Sequence, residues 1–340
     1  MKKNKEVVEE SAEIDINKEI EDINKIFGKG SVFIADSAST EIVDTLSTGS
    51  LGLDFKTGIG GVPIGYVTEI IGANSTGKTT LTLHLAVSAQ KKGGLVGFVD
   101  AEHELDLNYA KKLGVDLSKF VIAQPTTIEE GLGIVEKMLE SNKFALIVFD
   151  SIASISTSAE LENGINDLQT GDKAKLMSKH TRRINYLIGK SRSAIVYINQ
   201  YRDSISFGYG SGKTTPGGHA LSYRAKLRIE LKMMAQIVDA GSTHIGTRIK
   251  ARIIKNKMSA PFGEWEYTIV WGKGILEEFE LIEIAEKLDV IKKSGAWYSF
   301  DGSNIGQGIW KTMEYIQSNP EVKTRIKELV LEQIGTYKDK

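Results

Sequence analysis

Residues 72–80 read GANSTGKTT. Gly72, Gly77, Lys78 and Thr79 fit the spacing G-x-x-x-x-G-K-[ST], which makes a phosphate-binding loop where a strand enters it and a helix leaves it. The preceding YVTEIIG, residues 66–72, is short, apolar and β-branched and predicts a buried strand. The following TTLTLHLAVSAQKKGG carries Leu81, Leu85, Val87 and Ala89 on a helical spacing and stops at Gly93 and Gly94. The loop therefore opens a helix N-terminus, where unpaired backbone N–H groups and the helix dipole favour phosphate. Gly72, Asn74, Ser75, Thr76 and Gly77 form the cradle, and Thr80 follows in the first helical turn. Lys78 is placed to reach β- and γ-phosphates, and the Thr79 hydroxyl to hold Mg²⁺.

The rest of the composition narrows the class. The chain has 340 residues, 41% hydrophobic and 26% charged, as in ordinary globular proteins. No run is long enough to span a membrane. The charged start MKKNKEVVEESAEIDINKEI lacks an apolar signal segment, so no export is expected and the cytoplasm is the expected location. With Cys 0, disulfides, zinc–cysteine clusters and thiol catalysis are excluded. The 5 histidines are scattered, and His103 and His219 read as local hydrogen-bonding groups. The net charge of −1 conceals a basic middle. Between Gly171 and Glu230, Lys and Arg far outnumber Asp172, Asp203 and Glu230, the footprint of a polyanion partner. Taken singly, each of those cations reads as the solvated face of a helix or strand.

Periodicity supplies the architecture. INKEIEDINKIF predicts a short amphipathic helix ending at Gly28, and SVFIA a lone strand after it. LVGFVD, FVIAQP, ALIVFDS and AIVYINQ are buried strands, each preceded by a helix or loop, which argues for a parallel sheet between helical layers. The period then changes to two. Leu227, Ile229, Leu231 and Met233 alternate with charges, as do Ile249, Ala251 and Ile253, and EWEYTIVWG continues the pattern. These predict half-exposed antiparallel strands extending one edge of the sheet. From Glu277 the chain turns helical, passes through a hairpin-like GAWYSFDGSNIGQG, and ends in further helices.

In open parallel sheets ligands sit beyond the carboxyl ends of the strands. Asp150 ends one strand as a candidate Mg²⁺ acid, and Asp100 and Glu102 end another, where a carboxylate can serve as general base. Asn199 and Gln200 end a third and can sense a γ-phosphate without titrating. After Gln200, YRDSISFGYGSGKTTPGGHAL interleaves Arg202 and Lys213 with Tyr201, Phe207 and Tyr209, a composition suited to single-stranded nucleic acid. A second irregular stretch, AELENGINDLQTGDK, follows the Asp150 strand.

These motifs together resemble the bacterial RecA recombinase family over nearly the whole chain. The resemblance is carried by FGKGSV, STGSLGLD, GKTTLTL, VDAEHELD, YAKKLGVD, INQYR, TTPGGHAL, KNKMSAPF and SGAWYSFDGSNIGQG in that order. It implies an α/β fold: a RecA-like P-loop ATPase core, mostly parallel with antiparallel edge strands and helices on both faces. An N-terminal helix–strand arm (1–40), the core (41–276) and a small α+β C-terminal domain (277–340) are the implied divisions, with DNA loops near 156–171 and 201–218. It implies ATP and Mg²⁺ as cofactors, and filaments on single-stranded DNA that pair it with homologous double-stranded DNA. Glu102 then looks like the catalytic base, Asp106 and Tyr109 like the adenine contacts, and Gln200 like the γ-phosphate sensor. Lys255 and Lys257 resemble a pair that reaches a neighbour's ATP, and Gly272 joins the nucleotide set. Arg182, Arg202, Ile205, Phe207, Tyr209, Lys213, Gly217 and Gly218 are the implied DNA contacts. Within the second loop, SFGYGSGK departs from the family pattern. The end EQIGTYKDK lacks a long acidic tail, so regulation by such a tail is expected to be absent and a phage origin is compatible. A helicase or clock-type motor on the same core is an alternative without a use for KNK or GAWYS. A filament that stimulates self-cleavage of a repressor is another.

Overall fold

A computed structural model describes residues 16–28, 31, 32, 34, 43–162, 171–203, 213–238 and 242–336. The chain divides into two units between Ile42 and Val43. The first contains α1 (Ile16–Phe27). Ile16, Ile20, Ile23 and Phe27 fall on one face of it by i, i+4, i+7, i+11 spacing, yet none of its residues is buried. Asn24, within α1, exchanges two hydrogen bonds with the Val32 backbone, donating Nδ2–H to the carbonyl (3.0 Å) and accepting from the amide (3.1 Å). The strand expected over SVFIA is not formed at Ser31, Val32 or Ile34, and the rest of it lies outside the described residues.

The second unit starts with β1 (Thr45–Leu46), α2 (Leu51–Lys56) and β2 (Val62–Pro63), the two strands pairing antiparallel. Then comes the predicted alternation. β3 (Val67–Gly72) leads to α3 (Lys78–Lys91), β4 (Leu95–Asp100) to α4 (Leu107–Lys112), and β5 (Phe120–Ala123) to α5 (Ile128–Ser141). β6 (Phe144–Asp150) is followed by α6 (Ser158–Glu162) and α7 (Asp172–Ile188), and β7 (Ala194–Asn199) closes the series. Helices cover both faces of these strands, so β3 and β7 are buried at every position and are mostly apolar without strict alternation, Thr68, Glu69 and Asn199 being their buried polar residues. One apolar cluster packs on each face, around Phe98 and Leu83 on one side and Phe149 and Tyr197 on the other.

A short antiparallel pair, β8 (Arg202–Asp203) and β9 (Lys213–Thr214), precedes α8 (Ala220–Arg224). Next are β10 (Leu227–Val238), β11 (His244–Asn256), β12 (Glu264–Val270) and β13 (Gly274–Ile275). They complete a 9-stranded sheet in the order β13-β12-β11-β10-β3-β7-β6-β4-β5. β11, β12 and β13 are antiparallel, as the period of two predicts, whereas β10 is antiparallel to β11 but parallel to β3. Leu227, Ile229 and Leu231 are buried, but Met233 is exposed. The pairing of β10 with β3 ends at Leu231, and a bulge follows between Met233 and Ala235, so from Met233 on the alternation no longer marks the core face.

The chain ends in α9 (Glu277–Lys287), a three-stranded sheet of β14 (Lys292–Ser294), β15 (Trp297–Phe300) and β16 (Ser303–Gln307), then α10 (Ile309–Ser318) and α11 (Pro320–Thr336). Leu281, Ile284, Tyr298, Ile316 and Ile326 give this part its own core. The stretch 156–171, expected to be irregular, contains α6 at its start, and residues 163–170 lie outside the description. No described helix is long and apolar enough to cross a membrane.

Candidate nucleotide-binding site

The loop between β3 and α3 closes on itself. Gly72 has no room for a side chain, because a Cβ would stand 2.5 Å from Thr76 Oγ1 and 2.7 Å from the Leu231 carbonyl. Ser75 and Gly77 take positive φ (59° and 79°), which turns successive amides inward. Lys78 Nζ donates to the Ala73 carbonyl at 2.7 Å and Thr76 Oγ1 to the same oxygen at 2.8 Å. Gly77 caps α3 without a side-chain acceptor, so the first-turn N–H groups have no internal partner on that side. A cleft of about 570 Å³ opens beside this loop, lined by Asn74, Ser75, Thr76, Gly77, Lys78, Thr79 and Thr80.

The strand ends bring acids to the same cleft. Asp100 and Asp150 sit side by side in register. Thr79 Oγ1 donates to Asp150 Oδ2 at 2.7 Å. Burial pushes the Asp150 carboxyl up to about 6, with Glu102 and Asp100 adding to the rise and Thr79 and Lys78 opposing it. Burial pulls the Lys78 ammonium down, against the attraction of Asp150 and Glu102. Among the described residues no group of three or more His, Asp or Glu is built to hold a metal alone. A hydroxyl and one carboxylate with surplus negative charge suit Mg²⁺, which takes few protein ligands and completes its shell with phosphate and water. Glu102 reaches the cleft, and its Oε1 accepts from Ser151 Oγ and from Gln200 Nε2 (3.4 Å).

Three expected residues have other work. Asp100 is buried and accepts from the amides of Glu104 and Leu105 (3.3 Å each) and from Gln124 Nε2 (3.2 Å), so it organises the turn carrying Glu102. Asn199 does not face the cleft as a phosphate sensor. Its Nδ2 donates to buried Glu69 (3.1 Å) and to the Pro216 carbonyl (3.3 Å), tying the two ends of the second loop. Asp106 is the N-cap of α4, accepting from the amides of Asn108 and Tyr109 (2.8 and 3.1 Å), and is absent from the cleft wall. Tyr109 is in the wall, its hydroxyl 3.2 Å from Thr80 Oγ1.

The opposite wall comes from the antiparallel edge. Thr247 and Ile249 of β11, Ile269 of β12, and Trp271 and Gly272 after it line the cleft with Glu104. Trp271 is half exposed, and its Nε1 donates to Thr247 Oγ1 at 3.3 Å. Gly272 was expected here. Thr247, Ile249, Ile269, Trp271 and Glu104 were not, because a period of two reveals an edge strand but not which end of it curls over a ligand. Only the position of Trp271 just before Gly272 offered a signal.

Lys255 and Lys257 do not line this cleft. Lys255 pairs across the strands with Arg228, itself opposite Glu69, and its Nζ donates to the carbonyls of Ser222 and Tyr223 at 2.8 Å each. Burial, and then Lys257, Arg228 and Lys226, hold its ammonium low.

The described parts of the second loop begin and end it. Arg202 and Lys213 belong to the β8–β9 pair by backbone, with their side chains outside the description, and Ile205, Phe207 and Tyr209 lie outside it altogether. Gly217 and Gly218 turn the chain into α8 with φ of 85° and 70°. Arg182 is exposed on α7.

The RecA N-terminal domain family matches residues 14–276 of this chain, and the RecA C-terminal domain family matches 279–335. Protein RecA of Aquifex aeolicus is 42% identical over 316 residues, covering 93% of this chain and 91% of that protein. Protein RecA of Rickettsia bellii is 43% identical over 310 residues, covering 91% and 90%. Protein RecA of Helicobacter pylori is 40% identical over 333 residues, covering 98% and 96%.

Proposed function

Because the chain belongs to the RecA family, a family of DNA-dependent ATPases that carry out recombination, we propose that its cleft hydrolyses ATP to control a filament on single-stranded DNA. The observation that carries this is the contact between Glu102 and Gln200. It joins the candidate base for water to the residue that leads into the second loop, inside the cleft that holds the phosphate loop.

In this reading the α3 N-terminus, Lys78 and the loop amides bind the triphosphate, and Tyr109 and Trp271 flank the base. Thr79 and Asp150 would hold Mg²⁺, which neutralises phosphate charge when bound. Glu102 draws a proton from the attacking water, with Ser151 orienting its carboxylate. Gln200 gives its amide to the γ-phosphate or to Glu102, and the exchange shifts the second loop. That loop, with Arg182 and the start of α7, faces DNA, single-stranded in the filament and double-stranded during pairing. Lys255 and Lys257 act on the ATP of the next subunit. The exposed stripe of α1 supplies a docking face for a second copy, and α5 with Phe144 offers an apolar groove lined by Gly133, Ile134 and Met138 to receive it. The host compartment is a bacterial cytoplasm. A self-cleaving repressor is a further proposed partner of the assembled filament.

The test is ATP turnover with and without single-stranded DNA, alongside electron microscopy of the product. DNA stimulation together with helical filaments is expected. Turnover indifferent to DNA, with no filaments, would overturn the reading in favour of a RecA-core motor of another kind.

A further inference from the structure

One buried polar bridge stands outside the nucleotide chemistry. His180, in the middle of α7, is 3% exposed. Its Nε2 lies 2.6 Å from the Tyr197 hydroxyl on β7, and its Nδ1 lies 3.0 Å from Glu136 Oε1 on α5. The other Glu136 oxygen pairs with Arg183, whose Nη2 also donates to Glu140 at 3.0 Å. A carboxylate only accepts, so Nδ1–H donates to Glu136 and Nε2 accepts from the tyrosine. Burial, with Glu136 nearby, pushes the Tyr197 phenol up, which keeps it a donor. Both ring nitrogens are thus matched, each by one partner on a different element.

The elements joined are the stems of the loops. α7 begins at Asp172, with Gly171 as its N-cap directly after the first loop, and Lys173 Nζ reaches back to the Ile155 carbonyl at 2.6 Å. The next turns of α7 carry the end of the second loop. A Cβ on Gly217 would be 2.9 Å from Met177 Cγ, and one on Gly218 would be 3.1 Å from Ala174 Cβ. Tyr197, at the other side of the bridge, lies on the strand that runs into Asn199 and Gln200. One helix therefore touches both loops, and one histidine sets its register against the strand that ends at the γ-phosphate sensor.

We propose that His180 is a positioning residue that pins α7 to β7, so that the two loops and Gln200 move as one body when DNA or nucleotide binds. This rests on the reading of the chain as a DNA-dependent ATPase. An apolar contact would hold the helix against the sheet equally well but would tolerate sliding. Two directional bonds from one ring do not, because sliding leaves buried donors and acceptors unmatched.

Tyr197→Phe removes one oxygen and keeps the ring. The ratio of DNA-stimulated to basal turnover is expected to fall about tenfold, while basal turnover and nucleotide affinity stay within twofold. His180→Gln, whose amide can still donate to Glu136 and accept from Tyr197, is expected to keep part of the wild-type ratio. The double variant His180→Leu/Tyr197→Phe separates positioning from simple support. With both polar ends gone no buried group is left unmatched at the tyrosine, so melting temperature should recover while the stimulation ratio stays low. A stimulation ratio near wild type in Tyr197→Phe, or its return together with stability in the double variant, would overturn the proposal. A wild-type protein without DNA stimulation would instead remove the functional reading beneath it.

Discussion

At the scale of single residues, Gln200 makes the sharpest commitment. Its amide reaches Glu102 at 3.4 Å, too long for a strong bond, so the side chain is available to a better acceptor. A γ-phosphate is one, and a charge-assisted hydrogen bond to it is worth about 1.5–3 kcal/mol. A ligand shifts an equilibrium only by its differential affinity for the two states, and the coupling is reciprocal. Gln200→Ala should therefore bind ATP through Lys78 and Thr79, yet lose most of the ATP-induced gain in single-stranded DNA affinity, tenfold or more. It should also lose the matching DNA-induced gain in nucleotide affinity. DNA affinities of both proteins with and without nucleotide decide it. An intact ATP effect in the variant dismisses Gln200 as the switch. At this scale the sequence was readable for placement, since a position at or just past a strand end brought Asp150 and Glu102 into the cleft. It misled at Asn199 and Asp100, which end strands equally well but spend their polar atoms on Pro216, Glu69 and the turn amides. Hydrogen-bond partners far along the chain leave no local pattern.

At the scale of elements, the parallel strands were legible because burial on both faces makes them largely apolar, with polar residues such as Asp100, Asp150 and Asn199 at their carboxyl ends, and the edge strands because burial on one face imposes alternation. What the pattern could not express was how α9 joins the core. Glu280 is buried at the N-terminus of α2, accepting from Ser50 Oγ (2.8 Å), from the amides of Leu51 (2.9 Å) and Gly52 (3.1 Å), and from Trp265 Nε1. Nothing near Ser50 announces a carboxylate from the far end of the chain. Despite these donors, burial pushes the Glu280 carboxyl up to about 7. Its pKa is raised in the folded state, so the folded chain holds a proton that the unfolded chain has lost between the usual carboxylate range and about 7. The stabilising contribution is full at low pH and declines as pH rises through that window, by at most about 1.4 kcal/mol per unit. Asp54, pushed up to about 6 by burial, slopes the same way. Glu280→Gln should therefore flatten, not abolish, the fall in melting temperature from pH 5 to pH 8. Equal slopes in the two proteins would show that Glu280 does not titrate in that range.

At the scale of the whole molecule, the arrangement of β11 argues that one subunit is incomplete. Its Thr247 and Ile249 line the nucleotide cleft, while Lys255 lies six positions further along. At about 3.3 Å per residue that is roughly 20 Å away, at the other end of the sheet. A lysine side chain does not span such a distance, so Lys255 and Lys257 cannot serve the ATP of their own chain. Head-to-tail stacking, the arrangement that builds open filaments, sets one end of the sheet against the opposite end of the next copy. The cluster of Lys226, Arg228, Lys255 and Lys257 depresses Lys255 and has Glu69 as the carboxylate acting on it, so it gains from an incoming polyphosphate. A cation delivered in trans to a γ-phosphate accelerates related hydrolyses by roughly 10³–10⁵. Lys78→Ala filaments should be inactive through loss of the phosphate contact, and Lys255→Ala/Lys257→Ala filaments nearly so through loss of the neighbour's charge. Mixed one to one, they create some interfaces at which an intact Lys78 meets intact lysines, and turnover should reappear well above either parent, up to about a quarter of wild type for random assembly. Filaments shown to contain both variants yet inactive at every ratio would place the two lysines outside the hydrolysis reaction and leave them as partners for some other anion.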